Sequence, residues 1–206
     1  MKTNMYLYEN KFFLKNAKHI AGVDEAGRGC WAGPLVVAAC ILPTKYKNDH
    51  IRDSKTLSIK KRQQLFDIII KDALDYQIIF IDPEEVDKLN PKEASIEGMR
   101  RALTMLKVSP DVALIDFEKI PNLKIKQQSI VKGDAKSISI AAASILAKVA
   151  RDNYMIKINK KYPQYNFSKH KGYGTLEHVK EIKKYGPIKG FHRFSYKPIK
   201  NIINHV

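Results

Sequence analysis

His19 to Leu42 reads HIAGVDEAGRGCWAGPLVVAACIL, and two strands are legible in it. His19 to Val23 and Leu35 to Leu42 are apolar runs of strand length, and Gly33-Pro34 punctuates the turn between them. Asp24 and Glu25 then fall at the end of the first strand. Neighbouring side chains on a regular strand point to opposite faces, so both carboxylates serve one site only if the chain twists or bends there; Gly22 and Gly27 predict such a bend. Adjacent carboxylates suit hard divalent cations, and the glycines flanking Arg28 lack side chains that would keep a phosphate from their backbone N–H groups. As a bare pattern, GVDEAGRG (22–29) suits an acidic turn after a strand at least as well.

Outward from this segment, strands and helices alternate. Ser58 caps a helix running to about Asp75, with Leu65, Phe66, Ile69, Ala73 and Leu74 roughly on one face. Tyr76 to Ile81 is a short strand closed by Asp82-Pro83, Glu93 to Lys107 a second helix, and Val112 to Ile115 a buried strand ending in Asp116. A polar stretch at Leu123 to Val131 leads to Gly133-Asp134 and then to the alanine-rich helix Ser139 to Tyr154, whose small residues allow close packing on a sheet. A lysine-rich tail follows, with the loop HKGYGT (170–175), a short helix from Leu176 to Lys184, and FHRFSYKP near the end. The alternation predicts an α/β sandwich with a mixed sheet. With no repeats and no linker, residues 1–206 read as a single domain carrying a basic, helical C-terminal region from about 155 to 206.

At 206 residues and 44% hydrophobic composition the chain can bury a substantial core. Its net charge of +16 points to an anionic partner, foremost nucleic acid. Residues 1–120 hold 19 Lys and Arg against 17 Asp and Glu, whereas residues 121–206 hold 18 against 4. The acidic chemistry therefore belongs to the first part and most of the binding surface to the second. A general lysine bias accounts for part of the charge but not for so uneven a depletion of acids. Cys30 and Cys40 form no CxxC pair, the start lacks the pattern of a cleaved leader, and no apolar run approaches the ~18 residues that span a bilayer, so a cytoplasmic protein without membrane contact is expected.

Four acids stand out by context: Asp24, Glu25, Asp116 and Asp134. Carboxylates at strand ends can converge on one sheet edge, where they repel one another unless divalent cations neutralise them. Taken singly, Asp116 also reads as a polar strand terminator and Asp134 as a cap or dipole partner of the following helix.

Over nearly its whole length the chain resembles bacterial ribonuclease HII. The resemblance is carried by GVDEAGRG (22–29), AGPLVVAA (32–39), DSKTLS (53–58), LID (114–116), VKGD (131–134), ISIAAASILAKVARD (138–152) and HKGYGT (170–175). It implies an RNase H-like fold, a mixed sheet flanked by helices, and divalent-metal-dependent cleavage of RNA in RNA/DNA hybrids and at single ribonucleotides in duplex DNA. It further implies that Asp24, Glu25, Asp116 and Asp134 are catalytic and bind metal, with two Mg²⁺ or Mn²⁺ ions in the presence of substrate, and that the cut falls 5′ to the ribonucleotide. The backbone of Gly27, Arg28 and Gly29 is suited to contact the 2′-hydroxyl that distinguishes RNA, and Tyr173 resembles the family tyrosine that packs on the sugar beyond it. Lys55, Ser144, Lys148, Arg151 and His170 are further candidates for nucleic-acid contact, and Asp152 reads as an ion-pair residue of the helix surface. A monomer is expected.

The chain departs from the family pattern in three places. Cys30-Trp31 stands where proline and leucine usually follow GRG, Phe117 where glycine usually follows the second aspartate, and GFHRFSYKP is a loose version of an arginine-rich close. Two rivals remain: a non-catalytic basic RNA-binding module, and another metal-dependent nuclease of the same fold.

Overall fold

The computed structural model describes residues 4–204. In chain order its elements are α1 (Leu7–Phe13), β1 (Ile20–Ala26), β2 (Leu35–Ile41), α2 (Ile59–Asp72), β3 (Asp75–Ile81), α3 (Pro83–Leu89), α4 (Pro91–Thr104), β4 (Val112–Asp116), β5 (Lys126–Ile130), α5 (Ile138–Lys161), α6 (Phe167–His170), α7 (Leu176–Tyr185) and α8 (Lys197–Asn204). The five strands form one mixed sheet in the order β3-β2-β1-β4-β5. The β1–β2 and β2–β3 pairs are antiparallel, and β1–β4 and β4–β5 are parallel.

Alternation along the strands sorts the core onto the two faces. Leu35, Val37, Ala39 and Ile41 of β2 pack with Ala94, Met99, Ala102 and Leu103 of α4, while Val36, Ala38 and Cys40 pack with Leu65 and Ile69 of α2 and Ala142, Ile145 and Leu146 of α5. Each fully buried Val, Leu, Ile or Met side chain contributes about 1.5–3 kcal/mol and each alanine less, so these two layers hold the α/β sandwich together. The alanine-rich helix packs tightly on the sheet at Gly22, where any Cβ would sit 2.0 Å from the Ser139 carbonyl. That close approach explains the small residues on both sides.

Several expectations are corrected. The polar stretch at 123–131 contains a strand, β5, whose ladder with β4 compensates for its lack of apolar residues. The α5 helix runs on to Lys161, beyond the expected Tyr154, because the lysine-rich continuation still buries Met155. The α2 helix stops at Asp72 and α4 begins at Pro91, capped by Asn90. Four helices, α1, α3, α6 and α8, are not legible in the sequence pattern. The first of these is tied down by Glu9, which accepts from the Ser137 hydroxyl at 2.5 Å and the Ser139 N–H at 3.0 Å.

The basic C-terminal region is no loose extension. Tyr165, Phe167 and Phe191 pack against Ala32 and Met155, and Ile182, Ile199 and Ile202 cluster with Trp31 partly buried beside them. The last residues of the range 155–206 lie outside the described ones. Among the described residues no helix is long and apolar enough to cross a membrane.

Candidate active site

The parallel strands β1 and β4 pair only as far as Val23 and Ile115. Just beyond, Asp24 and Glu25 lie on β1 and Asp116 ends β4. The predicted bend in β1 is absent: Asp24 still pairs with Ala38, Glu25 with Val37 and Ala26 with Val36 of β2. The two carboxylates therefore leave opposite faces of the sheet, Asp24 toward α5 and Glu25 toward α4, as strand alternation requires. The charges of Glu25 and Asp116 nevertheless act on Asp24, and that of Asp116 acts on Glu25.

Asp134 arrives from a 3-10 turn, Gly133–Ala135, ahead of α5. The preceding Lys132 is left-handed, and Gly133 donates its N–H to Asp116 Oδ1 at 2.7 Å. The Asp24 carboxylate accepts the Glu25 N–H at 2.7 Å. Burial first, and then the charges of Glu25 and Asp116, push the Asp24 carboxyl well above its ordinary range. Glu25 and Asp116 are also raised, chiefly by burial; Arg28 opposes the shift for Glu25, and the Gly133 N–H opposes it for Asp116.

Two cations stand among these acids. Lys55 Nζ lies 3.4 Å from Asp134 Oδ2, and Arg28 reaches Glu25 at 3.6 Å and Glu118 at 2.7 Å. Among the described residues no group of His, Cys, Asp or Glu side chains is already assembled as a metal cage. The donor set nevertheless fits a hard divalent cation: carboxylate oxygens from three separate chain segments, several of them buried and raising one another's pKa, which is the repulsion such an ion relieves.

The glycines of GRG differ in role. A Cβ on Gly27, which has φ +90°, would fall 2.0 Å from Arg151 Nε, so this glycine answers to internal packing. Gly29 faces open space, leaving its backbone accessible. From below, buried Arg193 donates to the carbonyls of Arg28 and Gly33, and the Tyr196 hydroxyl also donates to Arg28 O. The loose C-terminal motif thus braces the GRG loop.

Tyr173 is 41% exposed, with Lys148 Nζ 5.4 Å and the Arg151 guanidinium 5.7 Å from its ring centre. It borders a cleft of about 310 Å³ shared with Arg62, Lys148, Lys169 and Lys171. Burial raises the Tyr173 hydroxyl to about 12. Three expected phosphate-binding side chains lie inside instead. Arg151 is fully buried and donates to the carbonyls of Ala32, Pro34 and Lys171; His170 is buried against Tyr165 and Glu181; and the buried Ser144 Oγ shares a hydrogen bond with Ser54 Oγ at 3.0 Å. Motif position alone does not distinguish a buried guanidinium or imidazole from an exposed one. Lys148 pairs with Asp152 at 2.9 Å, so Asp152 is an ion-pair residue as expected. Glu118, Arg193 and Tyr196 escape sequence reasoning; the arginine in FHRFSY is the only available signal.

A sequence model described as Ribonuclease HII matches residues 21–199. The Ribonuclease HII of Caldicellulosiruptor bescii is 47% identical over 201 residues, covering 98% of this chain and 96% of that protein. The Ribonuclease HII of Mycoplasma capricolum is 53% identical over 188 residues, covering 91% and 90%. The crystal structure of ribonuclease H2 from Pyrococcus horikoshii OT3 superposes with a TM-score of 0.78 at 27% identity, over 91% of this chain and 98% of that one.

Proposed function

The chain belongs to the ribonuclease HII family, and on that premise we propose that Asp24, Glu25, Asp116 and Asp134 are its catalytic carboxylates. The protein is an endonuclease that hydrolyses the RNA strand of RNA/DNA hybrids, and it depends on divalent metal. The observation that carries the residue assignment is that Asp24, Glu25 and Asp116 stand beyond the last β1–β4 pair with carboxyls raised chiefly by burial, the charge of Asp116 adding to the shifts of Asp24 and Glu25, and that Asp134 is tied to Asp116 through the Gly133 N–H.

In this reading the four carboxylates hold Mg²⁺ or Mn²⁺, two ions once substrate is bound. When bound, such ions polarise the scissile phosphate, lower the pKa of water and stabilise the leaving oxygen. Every remaining task falls to the chain itself. Lys55 and Arg28 balance the carboxylates and exchange those partners for phosphate as a nucleic acid enters. The open backbone at Gly29 meets the 2′-hydroxyl, and the Tyr173 ring packs on the sugar that follows, so incision falls 5′ to a ribonucleotide embedded in DNA. The exposed lysines of α5 and α7 supply sequence-independent contacts along the duplex. The working form is a cytoplasmic monomer folded as one domain, with Cys30 and Cys40 buried as free thiols.

A purely binding module has no use for carboxylates placed against a polyanion. The reading is tested with three duplexes, one carrying a single ribonucleotide, one an all-RNA/DNA hybrid and one plain DNA, each incubated with Mg²⁺, Mn²⁺ or EDTA and its ends mapped. Metal-dependent cutting of the first two, 5′ to the single ribonucleotide, is the expected result. Equal cutting of plain DNA, or cutting in EDTA, overturns it.

A further inference from the structure

Behind Tyr173 lie three buried histidines that the cleavage chemistry leaves unused: His170, His178 and His192. Their hydrogen bonds fix their protons. A carbonyl oxygen only accepts, so the contact of 3.0 Å between His178 Nδ1 and the Tyr173 carbonyl requires a proton on Nδ1. At the far end, the Ile188 N–H donates to His192 Nδ1 at 2.8 Å, so that nitrogen is a bare acceptor and His192 carries its proton on Nε2. The two Nε2 atoms face each other at 3.1 Å, and this contact is a hydrogen bond only if His178 Nε2 is the acceptor. Both rings are then neutral with one allowed tautomer each. Burial, first among the causes, lowers His178 to about 3 and His192 to about 4, in keeping with neutral rings.

His170 follows the same logic from the other side of the loop. Its Nδ1 accepts the Gly172 N–H at 3.1 Å, so its proton sits on Nε2, which faces the Tyr165 carbonyl at 2.7 Å and Glu181 at 3.0 Å. The His170 and His178 rings stack with centres 4.4 Å apart, a separation at which two imidazolium charges would repel. The Gly172 N–H just before the tyrosine and the Tyr173 carbonyl are thus held by neutral histidine rings.

We propose that His178 is a positioning residue for Tyr173: a one-way chain of hydrogen bonds from the Ile188 N–H through His192 and His178 to the Tyr173 carbonyl sets the backbone that presents the tyrosine ring to the ribonucleotide junction. The functional part of this inference rests on the reading of Tyr173 given above. The tyrosine carbonyl also accepts the Thr175 N–H at 2.9 Å, so losing His178 loosens the loop without releasing it.

The first test is made on the wild-type protein and needs no activity. Nitrogen-15 spectroscopy of the imidazoles at pH 7 is expected to show Nδ1–H for His178 and Nε2–H for both His192 and His170; an Nε2–H or a doubly protonated His178 overturns the chain. The second compares His178→Asn, whose amide can donate where Nδ1 does, with His178→Gln, whose amide reaches the Nε2 position. Both lose the ring, so a packing role predicts equal effects. The chain instead predicts that Asn keeps the single-turnover rate on a single embedded ribonucleotide within about threefold, while Gln loses about tenfold there and little on an all-RNA hybrid, the size expected for one buried hydrogen bond. Equal rates for the two variants overturn the proposal. Tyr173→Ala serves as the control: wild-type cleavage of the single ribonucleotide by that variant removes the tyrosine reading and with it the functional part, whereas the tautomers decide the chain independently.

Discussion

Gly133 donates its backbone N–H to Asp116 Oδ1 at 2.7 Å, which makes the end of β4 and the turn bearing Asp134 a single unit. A Cβ on Gly133 would lie 2.5 Å from Ile140 Cδ1 and 3.3 Å from that same aspartate oxygen, so a side chain there would push on both. Two acids 18 positions apart are in this way held in register by one peptide group.

The raised carboxyls give a pH dependence of defined sign. Asp24, Glu25 and Asp116 bind protons more tightly folded than unfolded, because of burial first and neighbouring charge second. Their contribution to the stability of the metal-free protein is therefore fully present below the unfolded carboxylate pKa of about 4 and is lost as pH rises through the raised folded values. Asp24→Asn removes the most perturbed of the three. Thermal melting in EDTA should show the variant as stable as wild type or more so at neutral pH, with the difference shrinking toward acid. A lower melting temperature for the variant at pH 7 contradicts this.

Phe117 occupies a left-handed backbone position, φ +57°, with its side chain 61% exposed. Such a conformation costs a non-glycine residue on the order of 1–2 kcal/mol, while glycine adds about 0.5–1 kcal/mol of unfolded-state entropy. Phe117→Gly should accordingly be neutral or stabilising by up to about 1 kcal/mol in denaturant unfolding. A loss of more than that amount shows that the phenyl ring is packed.

Lys157, Lys160 and Lys161 are exposed at the end of α5. Neutralising all three should weaken binding to hybrid and DNA duplexes alike and flatten the log–log salt dependence, by roughly 0.9 on B-form duplex for each phosphate that is no longer neutralised. An unchanged slope puts the footprint elsewhere.

Tyr173→Ala should reduce cleavage at a single embedded ribonucleotide by about ten- to a hundredfold, the worth of one aromatic face at roughly 1–3 kcal/mol, without changing metal affinity. Tyr173→Phe should keep most of the rate, since the ring and its cationic neighbours Lys148 and Arg151 remain. Single-turnover rates on the single-ribonucleotide and all-RNA substrates check both.

The strands that carry the proposed site are legible because apolar runs bounded by Gly, Pro and Asp mark them, and the four candidate acids stand out by their place at the ends of such segments, although Asp116 and Asp134 taken singly also read as a strand terminator and a helix cap. Strand β5 is not, since Lys126, Gln127, Gln128 and Ser129 carry no apolar alternation and owe their conformation to the neighbouring β4. The predicted bend at Glu25 fails for a related reason: pairing with β2 holds β1 regular, and the opening comes from the parting of β4. Arg151, His170 and Arg193 look like surface cations in a basic sequence. Only the fold shows them buried, with backbone carbonyls as their partners.

The central claim is that the acids at the β1–β4 opening hold the metal that cleaves RNA. It is tested most directly by the single-turnover rate of Asp24→Asn on a duplex with one ribonucleotide, measured while Mn²⁺ is raised to saturation for the wild type. The account predicts a loss of about a thousandfold or more, on the order of 4 kcal/mol in the barrier, in a variant that melts no lower than wild type. A rate within tenfold of wild type under the same conditions contradicts it.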